Sequence, residues 1–260
     1  YLSGGKFYPL VSERQDGIET LKWLASQPWY DGRLAMWGGS AFGYTQWAVS
    51  DQRDPGPSAF SIQIASSNFR QMFCPGNAFS LESALYWTIR SRGAEDREVD
   101  LRDLIRGVSR LPIAEADDVA IGDTDFFNDW VMNCGNDRYW SAIDGQNRAS
   151  QIVAPALLIG GWFDPFLPSQ LEDFVTISGT ASEKVATQSR LVIGPWGHAQ
   201  TVSLPRADVE IPYRADSVTL STPFFDQQLA ISSATSSAVS PAVSGKAVPQ
   251  TRVRIFVLGA

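Results

Sequence analysis

The chain has 260 residues, 44% hydrophobic and 19% charged, with nine Trp, fourteen Phe and seven Tyr. That is the make-up of a globular protein with a substantial core. Its net charge is −7 and its 21 Lys and Arg residues form no cluster, which argues against nucleic acid as a partner; no apolar run reaches the roughly 18 residues of a membrane helix, so a membrane is not expected either.

In chain order, Ser12-Glu13-Arg14-Gln15 has the spacing of a capping box, and Ile18, Leu21, Leu24 and Ala25 follow on one helical face. Pro28 and Asp31-Gly32 end that helix. Leu34–Trp37 is a short apolar run of the kind a buried parallel strand shows. A glycine-rich corner, Gly38–Gly43, leads into a helical stretch with Tyr44, Trp47 and Ala48. After a break at Asp54-Pro55-Gly56-Pro57, Ala59–Ala65 alternates like a strand.

Between residues 66 and 150 the pattern turns helical. Leu81, Ala84, Leu85 and Ile89 make one face; Leu101, Leu104, Ile105 and Val108 make another; Phe126, Phe127, Trp130 and Val131 suggest a third, shorter helix. This stretch interrupts the strand–helix alternation and reads as a helical cap inserted into the domain, with an ordinary flanking layer as the alternative. Alternation resumes with a strand in Ile152–Ile159, a helix around Ser169–Ile177 and a strand at Arg190–Ile193. Strands separated by helices imply a parallel α/β sheet.

The boundaries expected are therefore core over 1–65, cap over 66–150 and core again over 151–231. A Ser-, Ala-, Val- and Pro-rich linker follows over 232–250, and residues 251–260 look like the first strand of a further domain. The whole reads as a piece of a longer protein. Cys74 and Cys134 make no disulfide framework; buried free thiols are the expectation, with pairing in an oxidising compartment as the alternative. The compartment and the oligomeric state are not legible.

Gly38-Gly39-Ser40-Ala41-Phe42-Gly43 sits between a strand and a helix, where a sharp turn can expose a serine hydroxyl as a nucleophile elbow. It departs from strict G-x-S-x-G, since Phe42 stands where the second glycine is expected and Gly43 comes one residue late. His198, the one histidine of the chain, follows the strand in Leu191–Ile193. Asp164 follows Ala156–Ile159 by way of Gly160-Gly161-Trp162-Phe163. The order Ser40, Asp164, His198, each after its own strand, is that of α/β-hydrolases. It points to acyl transfer, with His198 as base, Asp164 orienting it and the Ala41 N–H facing the oxyanion. With one histidine and no C-x-x-C spacing, phosphate loop or dinucleotide fingerprint, neither metal nor cofactor is expected. The expected partner is a small-molecule ester or amide.

At these residues the sequence resembles the CocE/NonD family of hydrolases, relatives of the Xaa-Pro dipeptidyl-peptidases. The likeness is carried by Tyr30-Asp31-Gly32-Arg33, Trp37-Gly38-Gly39-Ser40, Gly43-Tyr44-Thr45-Gln46-Trp47, Gly160–Phe166 and Ile193–His198, and continues in Phe224-Phe225-Asp226 and Val253–Val257. It implies an α/β-hydrolase fold with an inserted helical cap, here truncated at both ends, and a C-terminal β-sandwich of which residues 251–260 would be the first strand. It implies a serine esterase with Ser40, Asp164 and His198 as catalytic residues, Ala41 in the oxyanion hole, and Trp87 and Phe166 as substrate-pocket walls. The family's second oxyanion donor is a tyrosine upstream of this region, which Tyr1 and Tyr8 do not match. Family members usually carry Tyr where this chain has Ala41. An amide-cleaving aminopeptidase or acylase, or a non-catalytic hydrolase-fold fragment, are the alternatives. For an aminopeptidase, Glu82, Glu95 and Asp96 offer carboxylates in the cap with no spacing that makes them converge.

Overall fold

A computed structural model describes residues 8–92, 99–143, 148–198, 213–230 and 251–257. In chain order it contains α1 (Glu13–Ala25), β1 (Ala35–Gly39), α2 (Ala41–Ala48) and β2 (Ala59–Gln63). Then come α3 (Arg70–Phe73), α4 (Leu81–Arg92), α5 (Leu101–Val108), α6 (Ala116–Ala120), α7 (Asp125–Asn133), α8 (Asp137–Ile143) and α9 (Arg148–Gln151). The last part holds β3 (Ala156–Phe163), α10 (Leu167–Thr180), α11 (Glu183–Gln188), β4 (Arg190–Gly197), α12 (Tyr213–Gln228) and β5 (Val253–Ile255).

The chain divides into two bodies. One comprises residues 13–67 and the chain from 145 onward; the other comprises residues 68–144 together with the segment that precedes residue 13. In the first, five strands run parallel in the order β1-β2-β3-β4-β5. Their apolar residues alternate between two layers. Phe60, Ile62, Leu158, Leu191 and Ile193 join Trp47, Phe174 and Ile177 in one cluster. Leu157, Ile159 and Val192 join Trp196 and Phe224 in the other. Burial on both faces explains why these strands read as continuous apolar runs. β2 is buried at all five positions, so the alternation expected over Ala59–Ala65 has no solvent side.

Two expectations about this body change. Val253–Ile255 pairs in parallel with β4, Leu191 opposite Val253 and Ile193 opposite Ile255. It is therefore the edge strand of the same sheet rather than the start of a separate sandwich. An alternating run fits either placement, because only pairing decides it. Of the apolar face expected on α1, Leu21 alone is buried and Ala25 is exposed. The linker expected over 232–250 lies outside the described residues.

The second body is helical. Its centre is aromatic: the rings of Phe73 and Trp130 stack at 4.3 Å, and Phe126 lies 5.0 Å from Trp130. The helical body takes in 68–144, against the bounds 66–150 expected for the cap. Of the face expected on α5, Leu104 alone is packed. Leu101, Ile105 and Val108 are exposed, and contact runs through Leu104 and Gly107, where a Cβ would lie 2.3 Å from Leu85 Cδ2. Cys74 and Cys134, at the ends of α3 and α7, are joined in a disulfide with Cα atoms 5.5 Å apart, not left as free thiols. Sequence spacing carried no information on this, because 60 residues separate the pair. Among the described residues no helix is long and apolar enough to cross a membrane.

Candidate active site

Ser40 occupies the one-residue corner between β1 and α2, with φ 58° and ψ −124°. That backbone region is costly for a residue with a Cβ and persists only where its surroundings hold it. The Ser40 N–H donates to the carbonyl of Gln63 on β2 at 3.0 Å, and its own carbonyl accepts from the N–H groups of Gly43 and Tyr44 at 2.8 and 3.0 Å. The departure from G-x-S-x-G now has a physical reason. Phe42 is tolerated because its side chain points outward and is 73% exposed. The steric demand falls on Gly38, where a Cβ would lie 2.6 Å from Phe42 Cβ, and on Gly43, where it would lie 2.5 Å from Ala65 Cβ.

Asp164 follows β3 and His198 follows β4, so with Ser40 all three stand at the C-terminal ends of parallel strands, where open α/β sheets carry their sites. His198 Nδ1 lies 2.7 Å from Asp164 Oδ2, and His198 Nε2 lies 2.8 Å from Ser40 Oγ. The carboxylate can only accept, so Nδ1 carries the proton. Nε2 then presents its lone pair, to which the Ser40 hydroxyl donates. The other Asp164 oxygen accepts the Phe166 N–H at 2.8 Å, which fixes the carboxylate's rotation. The Asp164 side chain is 1% exposed and that of His198 is 32% exposed, so the acid is sealed in while the imidazole reaches solvent.

Phe166 is fully buried, its ring centroid 5.5 Å from that of His198 at an interplanar angle of 42°. Trp87 belongs to the helical body and packs there on Phe73, Phe126 and Trp130. Tyr8 is likewise committed within that body: its hydroxyl donates to the Asp129 carboxylate and lies 3.1 Å from the Tyr139 hydroxyl, and burial with these bonds raises its pKa. Of the carboxylates noted for amine recognition, Glu82 is exposed, and Glu95 and Asp96 lie outside the described residues. Among the described residues, Asp117, Asp118 and Asp123 bring carboxylate oxygens within 4.8 Å of one another. Two of these three are exposed, and burial raises the pKa of Asp117.

Nothing in the sequence pointed to a further buried carboxyl, Asp173. Asp173 on α10 accepts from Ser66 Oγ at 2.8 Å, Ser67 N–H at 2.8 Å and Ser67 Oγ at 2.5 Å. Ser67 is the last residue before the chain enters the helical body. Burial pushes the Asp173 carboxyl up to about 7 against the three hydrogen bonds, which favour its charged form. One polar residue within an otherwise amphipathic helix gives no sequence signal that it is enclosed.

Residues 1–200 match the family described as X-Pro dipeptidyl-peptidase (S15 family). The chain belongs to that S15 family. It is also 29% identical over 282 aligned residues to the cocaine esterase of Rhodococcus sp. (strain MB1 Bresler), a match that takes in all of this chain and 46% of that protein. The chain thus spans less than half the length of this curated relative. Among solved structures, an aminopeptidase from a marine sediment Thaumarchaeota archaeon superimposes with a TM-score of 0.65 at 19% identity, over 99% of this chain and 41% of its own. A CocE/NonD family hydrolase from Staphylococcus aureus superimposes with a TM-score of 0.59 at 18% identity, over 88% of this chain and 35% of its own. At those identities the likeness speaks for the fold, which is that of an α/β-hydrolase. The resemblance read from the sequence motifs and the family match agree.

Proposed function

We propose that this S15-family protein is a serine hydrolase that cleaves carboxylic esters through an acyl-enzyme on Ser40. The observation that carries the reading is the unbroken hydrogen-bonded line from Ser40 Oγ through the imidazole of His198 to Asp164, at 2.8 and 2.7 Å. In this scheme His198 Nε2 takes the hydroxyl proton as Ser40 Oγ adds to the acyl carbon, and the carbonyl oxygen becomes an oxyanion. Collapse breaks the bond to the leaving alkoxide, which takes the proton back from His198. Water then repeats both steps on the acyl-serine and regenerates the enzyme with release of the acid. Asp164 holds the imidazole in its Nδ1–H form and stabilises the imidazolium.

The Ala41 N–H is assigned as an oxyanion donor. Ala41 is the first residue of α2, where N–H groups have no partner one turn back, and the field of the helix terminus favours negative charge. Phe166 is fully buried behind the His198 ring, and its assignment as a wall of the acyl pocket rests on the family resemblance alone. The relative named a cocaine esterase favours the ester reading. The name of the matched family favours a second reading, cleavage of an amide after Xaa-Pro.

The deciding experiment compares p-nitrophenyl acetate and butyrate with an Xaa-Pro p-nitroanilide, wild type beside Ser40→Ala. Ester turnover that falls by about 10⁴-fold or more in the variant is expected for a nucleophile. Anilide turnover in excess of ester turnover would move the assignment to the peptidase reading. Turnover of both by Ser40→Ala at the wild-type rate would remove Ser40 from the mechanism.

A further inference from the structure

We infer that Gln46 and Gln170 are a matched pair of positioning residues that set the spacing between the nucleophile and the acid by pinning both corners to strand β2; the inference rests on the hydrolase reading above. Each lies six residues after the group it serves, Gln46 after Ser40 on α2 and Gln170 after Asp164 on α10. Both are enclosed, at 1% and 0% exposure.

Gln46 Nε2 lies 3.2 Å from the Gly38 carbonyl, 3.3 Å from that of Phe42 and 3.0 Å from that of Ser61. Gly38 precedes Ser40 and Phe42 follows it, so one amide ties both limbs of the elbow to β2. Gln170 Nε2 lies 3.4 Å from the Ile159 carbonyl on β3, 3.4 Å from that of Ile62 on β2 and 3.1 Å from that of Ala65 just beyond it. All six surrounding groups are backbone carbonyls, which only accept, so the nitrogen end of each amide must face them.

β2 lies between β1, which ends at the nucleophile, and β3, which ends at the acid. The two amides therefore tie the elbow of Ser40, and the strand before and the helix after Asp164, to one shared strand, independently of His198. Among the described residues, the Oε1 of each is buried without a protein hydrogen-bond partner. Leu or Met would fill the same volume with no polar group to satisfy. What the amide supplies and an aliphatic chain cannot is direction: it grips particular carbonyls on both sides of a strained serine. Gly160 fits the same account, since a Cβ there would lie 2.3 Å from Gln170 Oε1 and push the side chain off its carbonyls.

The test uses the full chain and counts active sites by the end point of fluorophosphonate labelling, so that misfolded molecules drop out of the rate. Gln46→Met and Gln170→Met remove the donors at similar volume; Gln46→Glu keeps the shape but turns a carboxylate onto three carbonyls. A displacement near 1 Å in a reacting group costs on the order of 10²-fold. The expected result is a kcat per labelled site reduced by about 10- to 100-fold in each Met variant, with KM within about twofold of wild type, and a further reduction in Gln46→Glu. Should Gln46→Glu fail to fold, the uncharged Met variants carry the result. A kcat per labelled site within about twofold of wild type in both Met variants, whatever their melting temperatures, overturns the positioning role alone. A wild type that is not labelled at Ser40 overturns the hydrolase reading, and the positioning role with it.

Discussion

The two bodies of the chain bury different chemistry. The α/β body encloses polar side chains and holds them by directional bonds: Gln46 and Gln170 on strand carbonyls, Asp173 on Ser66 and Ser67, Asp164 on the Phe166 N–H and on His198. The helical body encloses rings, with Phe73, Trp87, Phe126 and Trp130 in mutual contact, and adds the Cys74–Cys134 bridge. Arg70 is its buried cation, held by the Cys134 carbonyl at 2.9 Å and by Asp137 and Asn77 at 2.6 Å each. Directional bonds fix where atoms sit, whereas ring contacts chiefly remove apolar area from water. Substitutions in the first body should therefore register in rate or pH dependence, and those in the second in stability.

Three variants can break that division. Trp130→Ala empties a fully buried site in the ring cluster and is expected to cost about 3–5 kcal/mol, read as a lowered denaturant midpoint. A midpoint unchanged within error would show that the cluster does not hold the helical body together.

Asp173→Asn probes the enclosed carboxyl. The folded-state pKa is raised, so the folded protein binds a proton that the unfolded chain has already released. The stabilisation is complete below the ordinary carboxylate pKa near 4 and is lost as pH rises through about 7. Wild type should lose on the order of 3 kcal/mol relative to Asp173→Asn between pH 4 and pH 8. Parallel stability–pH curves for the two proteins would refute the assignment.

The disulfide spans 60 residues, and its removal by the double substitution Cys74→Ser and Cys134→Ser is expected to cost about 2–4 kcal/mol. Thermal melts of the wild type with and without a thiol reductant should reproduce the loss, while the double variant ignores the reductant. A reductant effect in the double variant would place the sensitivity elsewhere.

Much of the α/β body was legible because its sequence signals are local. A strand, a tight glycine corner and a helix follow one another around Ser40, and Asp164 and His198 each stand a few residues beyond an apolar run. Extended pairing is not local. The strand at Val253 could be read but not its partner, since β4 ends at Gly197 and α12 intervenes before β5 begins at Val253. The α5 face misled for a related reason. Leu101, Ile105 and Val108 have the right period, yet Gly107 permits the closer approach and takes the contact. Gln46 was visible as part of a family-like motif, but nothing in its identity tells that three carbonyls surround it. Cys74 and Cys134 met by way of intervening helices that neither cysteine encodes.

The account stands or falls on Ser40 being a nucleophile made reactive by His198. Intact-mass spectrometry of the full chain after exposure to a fluorophosphonate, followed by peptide mapping, measures this directly. The expected result is one adduct per molecule, located on Ser40 and absent over the same time in His198→Ala. An adduct on another residue, or Ser40 labelled as fast without His198, would contradict it.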